Sequence, residues 1–219
     1  MVEVDELLNT MLEQLSFAAR ESEYIDEKSG VSARLSITAL ENLISTAERR
    51  ALINGDEHTA ARITDFWGVV PAITGKVELV YEGEQEGAYG VAMKLLSQSI
   101  KMSFLEHFPN PDEAEASGRS DSDPYGILRA YFSGGNVVKL LNDANEKDYR
   151  ATLDGVAGLR QIVTSTFHDR KLGENETFLY MELVLQGLAE MEVLNKETME
   201  NSLNFRDILA DMFGGEDLY

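Results

Sequence analysis

The sequence predicts an all-α chain: a helical bundle, then a long helix, then a second helical bundle. Two observations carry this. Apolar residues recur at helical spacing through most of the 219 residues. Runs that alternate with period two are scarce and have no evident neighbour to pair with, and an isolated strand is not stable. A hydrophobic fraction of 43% is enough to fill a globular core, and the length suits one large domain or two small ones.

The elements follow in order. Over residues 4–23 the apolar positions are Val4, Leu7, Leu8, Met11, Leu12, Leu15, Ala18 and Ala19, which form one stripe of a helix. The stretch EYIDEKSG breaks the stripe and Gly30 ends the loop. The next helix places Ile37, Leu40, Leu43, Ile44, Ala47, Ala51 and Leu52 on one face. Thr38 and Glu41 have the spacing of a capping box at its start, with Ser36 as a competing cap, and Asn54-Gly55 stops it. A third helix begins near Thr64-Asp65 and carries Phe66, Trp67, Val69 and Val70. Within 70–87, KVELVY alternates like a strand, with Val77, Leu79 and Tyr81 on one side. It lacks a partner, so helix and loop are expected there. A long helix spans 86–108 through Val91, Leu95, Leu96, Ile100, Phe104 and Leu105.

Residues 109–124 are rich in Pro, Asp, Glu and Ser and nearly free of apolar side chains, so a mobile linker or long loop is expected. Further helices are expected over 125–132, 149–167, 176–194 and 198–212. NVVKLLND, at 136–143, reads equally as helix or strand. The tail around Gly214, Gly215, Glu216 and Asp217 is expected to fray. The domain plan is therefore 1–75 for the first bundle, 76–108 for a connecting segment and long helix, 109–123 for the linker and 124–219 for the second bundle. The chain opens directly inside a helical pattern, which predicts that residues precede Met1 in a longer protein.

Composition narrows the function. The net charge is −20, which disfavours nucleic acid and anionic membrane surfaces as partners, and no basic cluster offsets it. The same acidity also suits a solvated helical surface. There is no cysteine, which excludes disulfides, thiolate-bound zinc and thiol catalysis. The N-terminus has neither the basic start nor the apolar run of a signal peptide, and no stretch is long and apolar enough to span a bilayer. A cytoplasmic location is expected.

Few residues suggest chemistry. His58, His107 and His168 are scattered without zinc-type spacing. No Gly-x-Ser-x-Gly elbow is present. Glu78, Glu82, Glu84 and Glu86 form an acidic cluster but lack the spacing of a calcium loop, and carboxylates at a helix start complement its dipole. No metal site is expected. Gly75-Lys76 is not followed by the hydroxyl residue that a phosphate loop requires, since Val77 stands there. Arg34 remains. On chemistry alone it is a surface arginine beside a helix start, pairing with Asp26 or Glu27.

The surrounding pattern gives Arg34 a second reading. Gly30-x-Ser32-x-Arg34, the helix bearing Ala-Glu-Arg-Arg-Ala-Leu at 47–52, a polar turn and Ile63-Thr64-x-Phe66 together resemble the lid subdomain of MoxR and magnesium-chelatase-type AAA+ ATPases. In that family the Gly-x-Ser-x-Arg segment carries the sensor-2 arginine, a role the resemblance gives to Arg34, and Thr64-Asp65 takes the place of the cap that opens the following helix. PAITGKVELVYEGEQEG, at 71–87, resembles a narrower branch, the bacterial magnesium-chelatase-like ATPases related to sigma-54-interacting regulators. The resemblance covers the first half of the chain, and the remainder matches only the general character of the family's C-terminal helical extension.

What the resemblance implies is specific. ATP and Mg2+ would be bound by a preceding AAA+ core domain, because the Walker A loop, the Walker B acids and sensor 1 have no counterpart here. Arg34 alone carries over, as both catalytic and nucleotide-binding residue, acting in cis or across the interface of a homo-oligomeric ring. The region after 124 would engage a protein client or partner subunit, or stabilise the ring. The isolated chain is not expected to hydrolyse ATP, and metal insertion would need other subunits. The alternative is a stand-alone acidic helical adaptor with no nucleotide role.

Overall fold

The computed structural model describes residues 1–26, 28, 31–32, 34–116, 123–199 and 202–208. By its internal contacts the chain forms two compact units, Met1–Ser103 and Phe104–Tyr219.

In the first unit, β1 (Val2–Glu3) leads into α1 (Glu6–Glu21). Asp5 caps α1 by accepting the Leu7 N–H at 2.9 Å. Leu7, Leu8, Met11, Leu12, Leu15, Ala18 and Ala19 are all buried, as their spacing predicts. Helix α2 (Arg34–Asn54) follows and ends at Gly55, whose φ of 74° suits a residue without Cβ. β2 (Thr59–Ala60) pairs in parallel with β1. A 3-10 turn over Ile63–Val69 continues into α3 (Val70–Thr74). After a loop come α4 (Tyr81–Glu86) and α5 (Ala88–His107), which runs through the division at Ser103. The KVELVY run contributes no strand to a sheet. It forms one antiparallel bridge, between Ile25 and Leu79.

Two expectations for α2 are corrected. The helix begins at Arg34, one turn before the capping box placed at Thr38 and Glu41, so Ser36 and Thr38 lie inside it. The Ser32 hydroxyl accepts the Arg34 N–H at 3.2 Å, so a hydroxyl cap is available earlier in the chain. The buried stripe is Leu35, Ala39, Leu43, Ala47 and Ala51, whereas Ile37 is 60% and Leu52 80% exposed. Close approach chooses the small residues. A Cβ built on Gly68 of the 3-10 turn would lie 1.8 Å from Thr46 Oγ1, so the turn lies directly on the alanine-rich face of α2. Crossings with α1 are made by small hydroxyls of α5: buried Ser99 donates to the Met11 carbonyl at 2.6 Å, and Ser103 donates to Gln14.

The second unit corrects the all-α expectation. It holds α6 (Pro111–Ala116), α7 (Gly126–Ser133), α8 (Glu146–Asp154), α9 (Leu159–Thr166) and α10 (Glu174–Glu190). It also holds a three-stranded antiparallel sheet of β3 (Val138–Leu141), β4 (Leu194–Met199) and β5 (Ser202–Asp207), with β5 in the centre. Among the described residues the chain is therefore mostly helical with two small sheets. Of the helix expected over 198–212, residues 202–207 are strand β5 and 209–212 lie outside the described residues. Leu203 and Phe205 alternate into the core, and Phe205 lies opposite Val138 in β3. NVVKLLND resolves as the strand β3.

The helix expected over 149–167 is two helices, α8 and α9, because Gly158 takes a φ of 83° between them. Of the expected linker, Pro111–Ala116 form α6, while residues 117–122 lie outside the described residues, as does the tail at Gly214–Asp217. Among the described residues no helix is long and apolar enough to cross a membrane.

Helix α10 is the core of this unit, with every residue from Thr177 to Leu188 buried. Its one buried acid, Glu182, accepts the Tyr149 hydroxyl at 2.9 Å and Gln186 Nε2 at 3.1 Å. Gly187 admits the Phe104 ring, which would lie 2.2 Å from a Cβ placed there. Gly187→Ala should therefore destabilise this unit by about 1–3 kcal/mol through overpacking, despite alanine's better helix propensity. Chemical denaturation of the variant beside wild type measures it, and a gain in stability would contradict the close approach.

Candidate functional site

The stripe that α2 buries contains a charge. Arg50 follows Ala47 by three residues and is 1% exposed. Its Nε and Nη2 donate to the two carboxylate oxygens of Asp65 at 3.2 and 2.8 Å, a bidentate pair. Nη1 donates to Thr59 Oγ1 at 2.9 Å and Nη2 to the Ala60 carbonyl at 2.8 Å. Asp65 also accepts the Arg62 backbone N–H at 2.8 Å, closing the start of the 3-10 turn. A single buried ion pair thus joins α2, β2 and that turn. Thr64-Asp65 does open a helical turn, but the carboxylate reaches across to α2 as well.

Arg34 stands at the other end of α2, about 24 Å away along the axis. It is the first residue of the helix, and Leu35 N–H is held by the Ser32 carbonyl at 2.8 Å. Its side chain is exposed, and among the described residues its guanidinium has no hydrogen bond or ion pair. The pairing with Asp26 is not made. Glu27 and Gly30, the other suggested partner and the first residue of the motif, lie outside the described residues. An exposed guanidinium on a rigid helix start presents a planar fork of donors suited to phosphate or carboxylate oxygens. The N-terminal N–H groups of the helix add to its attraction for an anion.

The other sequence candidates remain apart. His58 and His168 are exposed, and the His107 ring packs on Tyr180 with centroids 5.2 Å apart. Of the acidic cluster, Glu82 and Glu84 occupy the first turn of α4, and Glu86 pairs with Lys94 of α5 at 2.9 Å. No group of three or more His, Asp or Glu suited to a metal occurs among the described residues. Two surface cavities, of about 530 Å³ beside Glu48 and Leu52 and about 560 Å³ beside His107 and Gln161, do not include Arg34.

Sequence reasoning missed the Arg50–Asp65 pair. The signal was present: an arginine continues the Leu43, Ala47, Ala51 stripe, and a buried cation requires a carboxylate. Asp65 lies in the buried run from Ala61 to Phe66. No family model, curated protein or solved structure matches the chain.

Proposed function

We propose that this chain is the lid and C-terminal interaction region of an AAA+ ATPase of the MoxR and magnesium-chelatase type, and that Arg34 is its sensor-2 arginine. The observation that carries the reading is an exposed arginine without a partner among the described residues, at the first position of a helix whose far half is locked by a buried ion pair. The lock gives Arg34 a fixed base, and the exposed side chain leaves it free to reach a ligand. Its chemistry fits the phosphates of ATP. The Mg2+ and its carboxylate ligands belong to the preceding core domain, where the metal would bridge and neutralise the phosphate oxygens. The work of this chain is to place one guanidinium beside the phosphates and to change angle as the nucleotide changes. The helices and sheet beyond Phe104 would serve a client, a partner subunit or the ring.

The reading predicts that the isolated chain does not hydrolyse ATP and binds it weakly, since one arginine faces an overall charge of −20. Steady-state hydrolysis and calorimetric titration with Mg-ATP check this. Turnover that scales with the purified chain and persists in Arg34→Ala would overturn the division of labour between lid and core.

A further inference from the structure

The run PAITGKVELVYEGEQEG has no role in the reading above, yet the structure gives it a position. On leaving α1, the chain at Ser22–Asp26 lies antiparallel to residues 78–80. Asp26 N–H donates to the Glu78 carbonyl at 2.9 Å, Val80 N–H donates to the Tyr24 carbonyl at 3.1 Å, and Ile25, which is buried, sits opposite Leu79. Gly83, in the first turn of α4, backs directly onto this segment. A Cβ built there would lie 2.3 Å from the Tyr24 carbonyl oxygen and 3.2 Å from Leu79 Cβ. The obstacle is backbone, which cannot swing aside, so any side chain at 83 must push Tyr24 away. The Tyr24 side chain is held from another direction by α5. Lys94 Nζ donates to its hydroxyl at 3.1 Å, lies 4.5 Å above its ring and pairs with Glu86 of α4.

Among the described residues, this is the last pairing of the chain with another element before Arg34. Residues 27–33 separate Asp26 from the first residue of α2. The first turn of α2 contains no acidic residue to steady it, and Ser32 supplies the hydroxyl that receives the Arg34 N–H. The first N–H groups of a helix have no partner within it and depend on the residues leading in, as Arg34 and Leu35 depend on Ser32. We propose that Gly83 and the bridge-forming residues 78–80 are positioning elements for Arg34, so that the run acts through the arginine and not on the nucleotide. The proposal rests on the reading of Arg34 as a phosphate ligand. It makes Gly83 a residue whose lack of a side chain serves the site.

Hydrogen exchange on this chain tests the positioning directly. In Gly83→Ala the amides of Asp26, Arg34 and Leu35 should exchange faster by roughly tenfold, the scale of one net hydrogen bond, while those around Arg50 are unchanged. Val80→Pro is the second variant. Val80 has a φ of −79°, which proline adopts, so the change keeps the local backbone angle while removing the donor to Tyr24 and setting the ring Cδ against its carbonyl, which opens the bridge. Unchanged Arg34 and Leu35 amides in both variants would overturn the proposal. In the longer ATPase, Gly83→Ala should lower turnover on the order of tenfold, and the loss should vanish in the Arg34→Ala background. A loss that adds in full to that of Arg34→Ala would mean that Gly83 does not act through Arg34. If Arg34→Ala alone leaves turnover at wild type, the phosphate reading fails, and the exchange measurement still decides the positioning.

Discussion

Arg50→Ala and Asp65→Ala should each remove about 3–5 kcal/mol of stability from the first unit, because each leaves the opposite charge buried without its partner. Both side chains are only 2% exposed. In Arg50→Ala the Asp65 carboxylate keeps the Arg62 N–H but loses both guanidinium bonds, and Thr59 and the Ala60 carbonyl lose their donors. In Asp65→Ala the guanidinium keeps its bonds to Thr59 and Ala60 but stays buried as a cation without its carboxylate. The net worth of the pair is a different quantity. Replacing both residues with well-packed apolar ones, as in Arg50→Met with Asp65→Leu, should cost far less than either single change, because no orphaned charge remains. The sole tryptophan, Trp67, lies in the 3-10 turn two residues from Asp65, so its fluorescence in a urea titration reports this unit. Single variants that lose under about 1 kcal/mol would show that water reaches the pair and screens it.

That pair also marks the limit of what the sequence made legible. Helices α1, α5 and α10 were legible because each buries long apolar side chains at helical spacing. Helix α2 was legible as a helix but not in its orientation. Ile37 and Leu52 outweigh Ala39 and Ala47 in any hydrophobic pattern, yet the 3-10 turn needs the small side chains. Arg50 reads as a break in the stripe for the same reason, since its burial depends on an acid supplied by another element. The three-stranded sheet was hidden because its pairings are distant in the chain. Val138 meets Phe205 across four intervening helical or strand elements, and neither strand announces itself alone. For the candidate site, the sequence already read Arg34 as a surface arginine beside a helix start, and the fold adds that it is the first residue of that helix.

On the proposed reading, Arg34→Ala in the longer ATPase should sharply reduce hydrolysis while leaving the first unit as stable as wild type. The stability half follows from electrostatics. A cation in the first turn of a helix opposes the helix dipole, by about 0.3–1 kcal/mol at an exposed position, and no acid in that turn relieves it. Removing Arg34 should therefore be neutral or slightly stabilising, within the roughly 0.5 kcal/mol typical of surface changes. The activity half follows from geometry and charge. Arginines that stabilise a transferring phosphoryl group are worth about 10³–10⁵ in rate, which bounds the loss from above. A sensor arginine acting on binding or on lid movement gives less, with the larger effect in KM. Arg34→Lys separates charge from shape, because the ammonium keeps the charge but lacks the planar fork, so partial turnover is expected. Steady-state kinetics and thermal melting of wild type and both variants decide the matter. Lost turnover with an unchanged melt fits a phosphate ligand, whereas wild-type turnover in both variants would reduce Arg34 to a surface charge and overturn its assignment as sensor 2.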